Sequence, residues 1–217
     1  MSAIRKILFL TACLWGMNAQ ALDARAQEKL EEIQSEWAEI KYRASAKEQE
    51  KAFERLDATA QQALAESADA PELLIWRGIV LASWAGAKGG LGALDLVKQA
   101  RSNLEAALDK DPAALDGSAY TSLGSLYYQV PGWPIGFGND RRAEELLQQA
   151  LAINPDGIDP NFFYGDYLLH ERRYDEARAA LLKARAAAPR AGRELADEGR
   201  RREIDALLAQ IEEVTRN

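Results

Sequence analysis

The chain has 217 residues, 47% of them hydrophobic, a formal charge of −7 and a single cysteine. That is enough apolar material for a sizeable core, while so acidic a surface repels phosphate backbones and anionic lipid and argues against nucleic acid as a partner. Alanine, leucine, glutamate and arginine dominate, valine is scarce, and the prolines fall mostly between apolar-periodic segments, so the expected class is all-α.

Residues 1–21 have the pattern of a signal peptide. Arg5 and Lys6 give a basic start, Ile7 to Met17 an apolar run too short to span a bilayer, and Ala19-Gln20-Ala21 a small-x-small cleavage site. Leu10-Thr11-Ala12-Cys13 offers a competing lipoprotein reading, with Cys13 as the acylated residue. Cleavage after Ala21 would remove the only cysteine and with it any disulfide or thiolate chemistry. The expected location is periplasmic, with no transmembrane segment in the mature chain.

From 22 to 70 the sequence predicts a helix pair. Leu30, Ile33, Trp37 and Ile40 fall at helical spacing, as do Phe53, Leu56, Ala60 and Leu64.

Three copies of one skeleton follow, bounded at 71–112, 113–155 and 156–189. They run Leu74-x2-Arg77-Gly78-x2-Leu81 with Ala100-x3-Leu104-x2-Ala107 and Pro112; Tyr120-x2-Leu123-Gly124-x2-Tyr127 with Ala143-x3-Leu147-x2-Ala150 and Pro155; and Asn161-x2-Tyr164-Gly165-x2-Leu168 with Ala177-x3-Leu181-x2-Ala184 and Pro189. Glycine inside a helix costs about 1 kcal/mol relative to alanine. Its recurrence at Gly78, Gly124 and Gly165 implies that another helix needs the room, and Ala100, Ala143 and Ala177 are the expected facing residues. Leu104, Leu147 and Leu181 would each bury a side chain for about 1.5 to 3 kcal/mol, and the prolines would stop each second helix. The skeleton resembles the tetratricopeptide repeat, a helix–turn–helix unit of about 34 residues. The resemblance implies a right-handed superhelical solenoid and a role in holding a protein partner.

Two insertions, 84–93 and 131–139, fall at the turn between the first and second helix of their repeats. Equivalent turns lie along one edge of a stack, so Trp84, Leu91, Trp133, Ile135 and Phe137 should be neighbours there. Apolar residues in Gly- and Pro-rich turns either fold back over the helix ends or form a binding edge. Contacts between copies in a homo-oligomer would use the same edge.

The first helices should line an inner, concave groove. By spacing from the glycines its residues are Ile75, Ile79 and Ser83; Thr121, Ser125 and Tyr128; and Phe162, Asp166, Leu169 and His170. The lysine, asparagine and arginine that clamp C-terminal carboxylates in members of this family have no counterpart there. A groove of this kind fits a peptide, a helix or a neutral ligand, unless an adjacent helix fills it. A final helix over 193–217, with Ile204, Leu207, Leu208, Ile211 and Val214 on one stripe, should cap the open end of the stack.

Nothing in the sequence points to catalysis or a cofactor. G-x-S-x-G, H-E-x-x-H and G-x-x-x-x-G-K-[ST] are absent, and with His170 as the sole histidine the sequence excludes histidine-based zinc sites and a two-histidine relay, so no metal site is expected. Asp156 and Asp159 flank a turn and are expected to cap it. Residues 72–190 also resemble, in general architecture, the T component associated with tripartite periplasmic solute transporters. That resemblance implies an accessory that binds a small ligand or a substrate-binding subunit, although the chain is short for that family. The function expected is a non-catalytic scaffold for a protein or peptide of the cell envelope. A carboxylate-based hydrolase would need two carboxylates converging in one pocket.

Overall fold

The computed structural model describes residues 22–216 and contains no strand among them. The segment expected to be a signal peptide, with Cys13 and the expected cleavage site, lies outside the described residues. The helices are α1 (Ala24–Arg43), α2 (Ala46–Glu66), α3 (Pro71–Lys88), α4 (Leu94–Lys110), α5 (Ala114–Gln129), α6 (Asp140–Ile153), α7 (Ile158–His170), α8 (Tyr174–Arg185) and α9 (Glu194–Arg216), with a short 3-10 turn at Leu91–Ala93. No helix among the described residues is long and apolar enough to cross a membrane.

Local chemistry sets the helix ends. The Asp23 carboxylate accepts from Ala26 N at 2.8 Å to start α1, the Glu48 side chain reaches back to Ser45 N at 3.1 Å to start α2, and Pro71 stands at the first turn of α3. Pro112 and Pro155 follow α4 and α6 by two residues, where a missing N–H and a fixed φ prevent continuation. Asn161, buried at the turn into α7, donates to the carbonyls of Pro155 and Gly157 at 2.8 Å each.

The three repeats share one interlock. A Cβ on Gly78 would stand 2.7 Å from Leu104 Cγ; on Gly124, 2.6 Å from Leu147 Cγ; and on Gly165, 2.7 Å from Leu181 Cγ. The facing alanines Ala100, Ala143 and Ala177 are fully buried, and their carbonyl oxygens are the next atoms each Cβ would meet. Each glycine thus seats the leucine one turn beyond its alanine, and the alanine brings the two backbones close enough for that to happen.

The core has three parts. The first joins α1, α2 and α3 around Ile33, Phe53, Leu56 and Leu73; the second joins α3, α4 and α5 around Ile75, Leu81 and Leu104; the third joins α6 to α9 around Leu147, Leu168, Leu181 and Ile204. α9 departs from a simple end cap. Ile204, Leu208 and Ile211 do cover the third part, but Ala196, one turn into the helix, is buried in the first. The last helix therefore packs on α7 and α8 and also meets α1, joining the two ends of the stack.

The first insert also differs from expectation. α3 continues to Lys88, so Trp84 to Lys88 extend a helix rather than form a loop, and only Gly89 and Gly90, both with positive φ, and the 3-10 turn break the chain before α4. The second insert, after Val130, is irregular until α6 begins at Asp140.

Candidate functional site

The inner face was expected to be an open groove, and much of it is core. Ile75, Thr121, Tyr128 and Phe162 are buried. Ile79 packs between the first and second core parts, and Ser83 Oγ accepts from Trp37 Nε1 at 2.8 Å while donating to the carbonyl of Ile79 at 2.9 Å. α1 covers α3 on this face and α9 covers α7, and Thr121, Tyr128 and Phe162, expected at partner contact, have little free surface. Ser125, Asp166 and Leu169 remain half-buried and His170 exposed at its far end. There Tyr128 donates its hydroxyl to Asp166 at 2.6 Å, and its ring lies 6.0 Å from that of His170.

The filling of the face is ionic at its centre. Asp159 on α7 accepts from Arg190 at 2.7 Å and Arg200 at 2.8 Å; Asp197, 1% exposed, accepts from the Arg190 backbone N at 2.8 Å and from its guanidinium at 2.6 Å. Arg200 also donates to Glu203 at 2.6 Å, and Glu203 accepts from the Tyr42 hydroxyl at 3.3 Å, which carries the network to α1. The guanidinium groups lie on aromatic rings: Arg200 is 4.1 Å from Phe162 and 4.8 Å from Phe163, and Arg193 is 4.8 Å from Trp76.

The electrostatic consequences follow from this packing. Burial favours the neutral form of Asp159, but Arg200 and Arg190 outweigh it and hold the carboxyl well below the usual range. Asp159 therefore has no proton to give, and the convergence of Asp159 with Asp197 is an arginine clamp rather than an acid–base pair. Burial, and then Arg190 beside it, lower the Arg193 guanidinium from its ordinary value. Tyr42 is pushed up by burial. Asp156 stands in the turn before α7 and pairs with Lys183 at 3.1 Å, and Asp159 stands in the first turn of α7 and belongs to the clamp.

Apart from Asp159, none of these clamp residues was singled out from the sequence, yet a signal was present. Arg193, Asp197, Arg200, Ile204, Leu208 and Ile211 lie on one stripe of α9 and the residue before it. Charges on the buried stripe of a helix require partners on whatever it packs against.

The insert edge divides in two. Phe137 folds inward, 5.4 Å edge-on to Tyr127 with the Arg101 guanidinium 4.5 Å above it, and Trp84 is half-buried between the first two core parts. Trp133 is 90% exposed, Leu91 81% and Ile135 58%. Both inserts border the same core part, which Ala93 and Phe137 cover. At the root of the second insert, Asp140, His170 and Glu171 lie together. Tyr167 nearby is pushed up to about 12, by burial first and then by Glu144, Glu171 and Asp140. A shallow, mostly apolar hollow of about 370 Å³ lies on the outer side of α6, α7 and α8, lined by Leu151, Pro155, Tyr164, Leu168 and Ala180.

Residues 138–211, from the end of the second insert through most of α9, match the family described as Tetratricopeptide repeat. The crystal structure of TTC0263, described as a thermophilic TPR protein in Thermus thermophilus, is similar at 18% identity with a TM-score of 0.45, over 86% of this chain and 98% of that one. No curated protein matches. Over residues 138–211 the chain is thus similar to the tetratricopeptide repeat, and the interlock seen at Gly165 recurs at Gly124 and Gly78.

Proposed function

We propose that the protein is a non-catalytic scaffold of the bacterial periplasm that docks a protein of the cell envelope on its insert-bearing edge. The observation that carries the reading is the contrast between two surfaces. On the inner face α1 lies over α3 and α9 over α7, and Thr121, Tyr128 and Phe162 are buried, whereas Trp133, Leu91 and Ile135 stand in solvent on the other. Large apolar side chains exposed on turns are unfavourable in a monomer unless a partner covers them, and aromatic residues dominate binding energy at protein interfaces.

Photocrosslinking in cells tests it, with a reactive residue placed at Trp133, at Leu91 and at Ser125 on the inner face. The expected result is one discrete envelope protein captured from both insert positions. Capture from position 125 alone would move the site to the inner face, and adducts between copies of this chain would replace the scaffold with an oligomer.

A further inference from the structure

We propose that Asp140, His170 and Glu171 form a site for one divalent transition-metal ion of the zinc type at the root of the second insert. The single histidine excludes a histidine-based zinc site as a sequence expectation; the fold sets two carboxylates beside it. Glu171 adjoins His170, but Asp140 begins a different helix, and only the packing of α6 on α7 brings it there. In the folded chain one ligand atom from each of the three side chains lies within 4.8 Å of the others.

The geometry suits the ion. Ligand atoms bound at about 2.0 to 2.2 Å stand roughly 3 to 3.5 Å apart, so atoms now within 4.8 Å of one another must close by up to about 1.5 Å, which exposed side chains do by rotating. One imidazole nitrogen with two carboxylate oxygens favours a borderline ion over calcium or magnesium, which take oxygen throughout. The backbone beneath the ligands is fixed. Asn139 N donates to the Tyr127 carbonyl at 2.7 Å and its side chain accepts from Arg142 N at 3.0 Å, which holds the first turn of α6; His170 rests near Tyr128, itself tied to Asp166.

The charge at the site is also uncompensated. Among the described residues neither Asp140 nor Glu171 forms an ion pair with a lysine or arginine, and Glu171 lies 4.0 Å from His170, a pair only if the imidazole is protonated. Arg173, two residues further on, is committed to Glu144 and Glu176 at 2.6 Å each. A bound dication would neutralise the carboxylates and pin the start of α6 to the end of α7, which fixes one end of the loop that carries Trp133.

The sole histidine makes the experiment direct. The imidazole resonances of the untagged, purified chain are followed by NMR during titration with zinc chloride, with competition against a chromophoric chelator to obtain affinity. The expected result is a saturable one-to-one shift, an affinity reduced about tenfold or more by Asp140→Asn or by Glu171→Gln, and no site in His170→Gln. All three side chains are exposed, so the variants are expected to keep the parent's thermal midpoint. Imidazole resonances that do not move up to millimolar zinc would overturn the proposal. So would an Asp140→Asn variant that binds as tightly as the parent, since that would mean a surface histidine acting alone.

Discussion

Gly199 on α9 lies against the ring of Tyr42 on α1, with no room for a side chain between them. This contact is where the beginning and the end of the stack meet. Gly199→Leu is therefore expected to force the two helices apart and cost about 1 to 3 kcal/mol, the range for overpacking a close contact. Thermal unfolding measures it. Gly86→Ala is the matched control: a Cβ there meets nothing within 4 Å, and helix propensity alone should stabilise that variant by up to about 1 kcal/mol.

The repeat interlock makes a coupled prediction. Gly124→Ala places a methyl group against Leu147 and should destabilise by about 1 to 3 kcal/mol. Leu147→Ala leaves a cavity and should cost about 2 to 5 kcal/mol. The double variant should be more stable than the sum of the two predicts, because the new methyl enters the space the leucine leaves. Denaturant midpoints of the four proteins test this, and strict additivity would mean that glycine and leucine do not share that space.

Arg200→Met is expected to destabilise by about 1 to 3 kcal/mol, because Asp159 and Glu203 lose their common cation and keep only Arg190 and Lys41 respectively. The same clamp sets an acid limit. The Asp159 carboxyl is depressed in the folded protein, so its contribution to stability is complete above the ordinary carboxylate value of about 3.9 and is lost as pH falls below it. Stability measured by urea titration between about pH 5 and pH 2 should fall more steeply in the parent than in Asp159→Asn.

Within one insert, neighbouring aromatic residues should behave oppositely. Trp133→Ser is expected to leave stability within about 0.5 kcal/mol of the parent, as for exposed positions generally, while abolishing capture of the partner. Phe137→Ala should cost about 1 to 3 kcal/mol through lost contact with Tyr127 and Arg101. Thermal midpoints of the two variants separate the roles.

The repeats were legible in the sequence because their information is local. Gly78, Gly124 and Gly165 are each followed by the same Ala-x3-Leu-x2-Ala and a closing proline, and each interlock involves only adjacent helices. The fate of the inner face was not legible, since Tyr42, Trp76, Asp159 and Arg200 come from four helices and carry no common spacing. Trp84 shows the same limit: the glycines after it signal a break, but the helix continues through Lys88, because Trp84 and Ala85 pack on the core and hold the helical path. Periodicity reveals which side of a helix is buried and is silent on what lies opposite. Charges on the buried stripe of α9 marked that something did.

The meeting of α1 and α9 also changes how the molecule should come apart. A row of repeats frays from its termini, each terminal unit having one neighbour instead of two. Here the terminal helices protect one another, and no unit is the obvious first to leave. Removing the α1–α2 pair would therefore expose the flank of α9 and loosen the third repeat before the second, so that a truncation at one end is felt first at the other.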